Sequence, residues 1–165
     1  MPKRYHPTLA VLHWLLAALI LLNLVVGDSL LRPLPNSDPD KLRLLLVHKS
    51  TGMLIAALTL IRLAVRLRTK RPHTRPLTTA LHLSLYALVL LMPLTGMVMA
   101  LSAHLNAIVF QGKGTLPATL ANTQGHLPHI IAAILLAAAI AAHIAMIFPA
   151  KITLKGDPMP RMWLR

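Results

Sequence analysis

The stretch "HIIAAILLAAAIAAH", residues 129–143, places a histidine at each end of an uncharged apolar run. An α-helix rises about 1.5 Å and turns about 100° per residue, so the steps from His129 to His143 separate the two imidazoles by about 21 Å and leave them within roughly 40° of one face. Such a helix crosses a hydrocarbon layer about 30 Å thick and carries one imidazole toward each side of it.

The rest of the chain has the same character. Of its 165 residues, 56% are hydrophobic and 13% charged, too apolar for a water-soluble globule of one-domain length. Residues 9–26, 77–100 and 127–150 contain no Asp, Glu, Lys or Arg, and each approaches or exceeds the roughly 20 residues that a spanning helix needs. Residues 44–65 form a fourth span, in which Lys49 near the start and Arg62 near the end are long enough to snorkel or to serve a buried group. The expectation is an all-α, four-helix transmembrane bundle, one domain over residues 1–165, with spans near 9–26, 44–65, 77–100 and 128–149. Lys3 and Arg4 before the first run imitate a secretory leader. The run is long, however, and Gly27-Asp28 offers no A-x-A-like cleavage site, so the segment is expected to be retained. The absence of cysteine excludes disulfides, thiolate metal sites and covalently attached c-type haem.

The formal charge of +13 is distributed by loop. Twelve of the 17 basic residues, namely Lys3, Arg4, Arg62, Arg66, Arg68, Lys70, Arg71, Arg75, Lys151, Lys155, Arg161 and Arg165, fall at the N-terminus, between spans two and three, or at the C-terminus. The positive-inside bias puts these segments in the cytoplasm and residues 27–43 and 101–126 on the outer face. The predicted topology is therefore up-down-up-down with both termini cytoplasmic, facing membrane lipid and not nucleic acid. The connector RTKRPHTRP is charged and proline-stiffened. The outer stretch ALSAHLNAIVFQGKGTLPATLANTQGHLP predicts a short interfacial helix followed by irregular chain.

Five histidines, His13, His48, His82, His129 and His143, fall inside or at the ends of spans, where ionisable groups need partners. Any one alone reads as a hydrogen bond to a neighbouring helix; five together point to a site. Depth sorts them. His13 sits near the inner end of an outward-running span, and His48 near the outer end of an inward-running one. The fourth span also runs inward, from about Pro128, a residue suited to a helix's first turn, so His129 is outer and His143 inner. His48 pairs with His129 and His13 with His143. His126 competes with His129, but lies about 100° off the face of His143. His82 stays open as an inner ligand.

Carboxylate di-iron chemistry is excluded, because the chain has no Glu and its four Asp lie outside the spans. Zinc needs three or four protein ligands at one point, which two separated pairs do not supply. A haem iron needs only two axial ligands. Two non-covalent b-type haems, stacked through the membrane as an electron path, are the economical reading. Arg62 follows His48 by the same 14 residues and so reaches the inner level, either as a propionate partner or as an ordinary topogenic arginine. Gly52, one turn after His48, leaves room for a porphyrin, although glycine is common in spans. Methionines 53, 92, 97, 99 and 146 read as packing, and Pro93 should kink the third span.

The chain resembles the bacterial cytochrome b-561 family of small di-haem inner-membrane proteins, related more distantly to the cytochrome b subunits of nickel-iron hydrogenases. The resemblance lies in "LHWLLA" at His13, "HKSTGMLIAALTLIRLAVRLR" from His48, "HLSLYALVLLMPLTGMVMALSAH" from His82, "VFQGKGTLP", the His129/His143 spacing and "LKGDPMPRM", in that order over nearly the whole chain. It implies His13, His48, His129 and His143 as axial ligands and leaves His82 as a propionate or quinone contact. Some members carry a further histidine where this chain has Ala150. Family activity implies electron transfer to the quinone pool, either as a superoxide:ubiquinone oxidoreductase or as a cytochrome subunit relaying electrons from a partner redox protein. A haem-free transporter is the remaining alternative. At the outer mouth Lys49 adjoins His48, while Arg32, Lys41, Arg43 and Lys113 lie in outer segments. These cations either balance Asp28, Asp38 and Asp40 or form a positive funnel for an anion such as superoxide.

Overall fold

Two of the long helices start where a side chain accepts from an otherwise unpaired backbone N–H. His6 caps the first through its ring nitrogen on the Thr8 N–H, and Asp38 caps the second through the Asp40 N–H at 2.8 Å, each followed by a proline in the first turn. The computed structural model describes residues 6–69 and 76–146. Along them run α1 (Pro7–Val25), α2 (Pro39–Arg68), α3 (Pro76–Ser102), α4 (Leu105–Gln111) and α5 (His126–Ala145), with no strand among the described residues. The chain leaves α1 through a π-helical turn, Val26–Leu31.

Four helical stretches are long and apolar enough to cross a membrane: Pro7–Leu31, Pro39–Arg68, Pro76–Ser102 and His126–Ala145. Many of their large apolar side chains, among them Leu22, Leu54, Leu60, Leu94 and Ile134, face outward. A contiguous surface of this kind suits lipid rather than water. The chain is a multi-pass membrane protein. The helices exceed the predicted spans because apolarity marks the hydrocarbon layer, whereas caps mark the helix. Thus α2 begins at Pro39 rather than 44, and α5 begins at His126, two residues before the expected start, after Gly125 in a left-handed conformation. Pro93 lies inside α3, which continues to Ser102. The expected end of the fourth span at 149, the family position Ala150, and the cations at 3, 4, 70, 71, 75, 151, 155, 161 and 165 lie outside the described residues.

The four long helices meet at Leu16, Ile55, Val89 and Leu136, one buried residue from each of α1, α2, α3 and α5. Ile55 stands seven residues from both His48 and Arg62, and Leu136 seven from both His129 and His143. The apolar layer therefore lies about 10 Å from either histidine level. A second core, built from Val26, Leu31, Leu45, Ala100, Leu105, Ile108 and Val109, seats α4 against the ends of α2 and α3. Lys41 serves this packing: its buried ammonium donates to the carbonyls of Leu31 and Leu34 at 2.5 and 2.6 Å, satisfying the end of the π-helical turn.

Candidate functional site

The histidines gather at two levels. At the level the charge bias labels outer, the rings of His48 on α2 and His129 on α5 have centroids 6.2 Å apart and planes at 79°. At the inner level His13 on α1 and His143 on α5 have centroids 6.1 Å apart and planes at 74°. A metal-bound imidazole nitrogen lies about 2 Å from the metal and about 1.1 Å from its own ring centre, so two imidazoles on opposite sides of one iron have centroids about 6 Å apart. Both pairs match that spacing. His82 on α3 is 5.2 Å from His143, too close for two rings facing each other across one iron at these positions. It flanks the inner pair instead. No group of three or more His or acidic side chains with the arrangement of a metal cluster occurs among the described residues.

The outer rings rest on glycines. A Cβ at Gly27, in the π-helical turn, would lie 3.1 Å from His48 Cε1, and one at Gly96 on α3 would lie 3.3 Å from His129 Cε1. A Cβ at Gly52 would be 3.7 Å from Asn23 Nδ2, an ordinary contact. Gly125 closes the outer end by pressing on α3, where a Cβ would lie 2.7 Å from the Thr95 carbonyl oxygen. One turn later His129 Nδ1 reaches the Met92 carbonyl at 3.1 Å and Thr95 Oγ1 at 3.0 Å. A carbonyl only accepts, so Nδ1 carries the proton and Nε2 keeps the lone pair a metal requires. His48 Nδ1 is buried beside the Asn23 backbone without a hydrogen bond of ordinary geometry, and buried Asn23 Oδ1 has no partner among the described residues. Paired imidazoles, the free Nε2 of His129, glycines that make room and unsatisfied buried polar atoms fit an axially ligated haem.

At the inner level Arg62 Nη1 donates to Tyr86 Oη at 2.5 Å, and the Arg66 guanidinium lies 5.2 Å from the centre of the same ring. Arg62 is within electrostatic reach of His13, His82 and His143. The carboxylates among the described residues, Asp28, Asp38 and Asp40, all belong to the opposite end. The inner level thus presents positive charge suited to carboxylates such as haem propionates. Tyr86, Thr95, Gly27 and Gly96 were not singled out by sequence reasoning. A polar aromatic and a Thr-Gly pair inside an otherwise apolar span were the available signals.

The outer cations divide. Arg32 pairs with Asp28 at 2.9 Å and Arg43 with Asp40 at 3.2 Å, and Lys41 is bound to backbone carbonyls. Of the five outer cations, two are thus paired with carboxylates at the surface and a third is buried. Lys49 donates to Asn106 Oδ1 at 2.7 Å and lies 5.3 Å from the centre of the Phe110 ring, keeping its charge beside His48 while clamping α2 to α4. Lys113 is exposed beyond α4.

No curated protein matches the chain. The model of the family described as prokaryotic cytochrome b561 matches residues 4–164. With four membrane-spanning helices and paired histidines already in view, that match covers nearly the whole chain, and the protein belongs to the prokaryotic cytochrome b561 family of membrane b-type cytochromes that act in electron transfer.

Proposed function

We propose that the chain sits in a bacterial inner membrane with both termini cytoplasmic, holds two b-type haems, and moves electrons from an outer donor to ubiquinone. The observation that carries this is the equal spacing of the two imidazole pairs, 6.2 and 6.1 Å between ring centres. His48 and His129 would hold the outer haem, His13 and His143 the inner one. Each haem, when bound, supplies a one-electron iron couple, and two at different depths give electrons a route across the bilayer. The chain's own residues do the rest. Gly27 and Gly96 leave the outer rings room to stand, and the apolar layer at Leu16, Ile55, Val89 and Leu136 keeps water from the middle. Arg62, braced by Tyr86, offers a guanidinium to a propionate. A reduced quinone must also gain protons; His82, half-buried beside His143, is the group that can hold one at a ring nitrogen and release it to a quinone oxygen.

For the donor, superoxide is the first reading, giving a superoxide:ubiquinone oxidoreductase in which Lys49, aided by Lys113, attracts the anion. The pairing of Arg32 with Asp28 and of Arg43 with Asp40 favours the second reading, a cytochrome that relays electrons from a partner redox protein. Stopped-flow reduction of the purified protein by superoxide, across a salt series and in Lys49→Gln, distinguishes them. Fast reduction that slows with salt and with the substitution supports superoxide. Slow, salt-independent reduction supports the relay.

A further inference from the structure

We propose that Thr95 is a positioning residue that, through the His129 ring, holds down the redox potential of the outer haem; this rests on haem ligation by His48 and His129. Thr95 Oγ1 lies 3.1 Å from the Leu91 carbonyl, 2.9 Å from the Met92 carbonyl and 3.0 Å from His129 Nδ1. A hydroxyl has one proton to give. Directed to a carbonyl one turn back on α3, it leaves an oxygen lone pair facing His129. The Nδ1 proton of His129 is therefore shared between two oxygens of the same helix turn, Thr95 Oγ1 and the Met92 carbonyl.

This arrangement does two things. It fixes the ring as the Nδ1–H tautomer, with Nε2 free for iron, and it draws the Nδ1 proton toward α3, making Nε2 a stronger donor. A more basic axial nitrogen stabilises ferric over ferrous iron and lowers the potential. The buried Nδ1 of His48 lies beside the Asn23 backbone, with no side-chain hydroxyl bonded to it among the described residues. The outer pair thus differs by the Thr95 hydroxyl, which lies on the His129 ring. Gly96, the next residue after Thr95, leaves the space in which the ring stands: a Cβ there would approach Cε1 to 3.3 Å.

The test is an equilibrium redox titration of the full chain with its haems, comparing unmodified protein, Thr95→Val and Thr95→Ser. Valine keeps the shape and removes the hydroxyl, while the Met92 carbonyl remains. One of the two haem components should then move to higher potential, with its ferrous-to-ferric ratio at fixed ambient potential rising about two- to tenfold, the range one hydrogen bond spans. Tenfold corresponds to 59 mV for one electron. The other component should stay in place, and serine should restore the original value. Two unmoved components in a protein that retains both haems overturn the proposal while leaving haem ligation standing. A serine variant that loses haem as readily as the valine variant assigns Thr95 to packing and also overturns it. Unmodified protein that binds no haem defeats the underlying ligation instead.

Discussion

At the scale of single residues, the outer histidine pair has its room from what stands behind it. The rings of His48 and His129 are backed by Gly27 and Gly96, whose missing Cβ atoms would lie 3.1 and 3.3 Å from ring carbons. In Gly96→Ala the His129 ring must give way by a few tenths of an ångström, at the cost of an off-rotamer side chain, about 0.5–1.5 kcal/mol. Haem retention at the outer level should weaken about two- to tenfold, read by haem loss to a competing apo-globin, with the inner component unchanged. Equal release of both haems would show that Gly96 serves general packing. His82 makes a different prediction. Because it lies 5.2 Å from His143 rather than at axial spacing, His82→Ala should leave both haem spectra intact and slow quinone reduction by at least about tenfold, the lower part of what a proton donor contributes. An unchanged rate moves proton delivery to another group.

At the scale of elements, helix identity was legible because each span is apolar over a membrane's thickness, and the His129/His143 register followed from helical geometry alone. The two pairings were legible as well, since the opposite direction of consecutive spans fixes which imidazoles share a depth. What could not be read was how elements touch across sequence distance. Thr95 and His129 are 34 residues apart and meet where α5 packs on α3, beside the close approach of Gly125 to the α3 backbone. Lys41 was another such case: from sequence it is one more outer cation, whereas folded it ties α2 to the end of the π-helical turn through two carbonyls. Lys41→Met keeps the stem and removes the donor, leaving those carbonyls without it in a buried setting. The change should cost about 1–3 kcal/mol, seen as a lower midpoint for thermal loss of helicity in detergent, with haem potentials unaltered. An unchanged midpoint would mean that water satisfies the two carbonyls.

At the scale of the whole molecule, the distribution of charge and of imidazole tells one story from two directions. The described carboxylates and their paired arginines belong to one end, while Arg62, Arg66 and Tyr86 gather beside the histidines of the other. The apolar layer midway, with one buried residue from each long helix, separates the two imidazole levels. Composition made the membrane legible, and the histidine pattern, together with the family resemblance, made a b-type haem legible; the donor was legible from neither, because an anion funnel depends on where the cations stand in the fold. The central claim is that the four histidines form two axial pairs. It is tested most directly by haem-to-protein stoichiometry, measured as pyridine haemochrome against amino-acid analysis, in the unmodified chain and in alanine variants of His13, His48, His129 and His143. Two haems per chain, with one lost in each variant and the same component lost in His48→Ala and His129→Ala, is the predicted result. One haem per chain in the unmodified protein, or loss of different components from His48→Ala and His129→Ala, would contradict it.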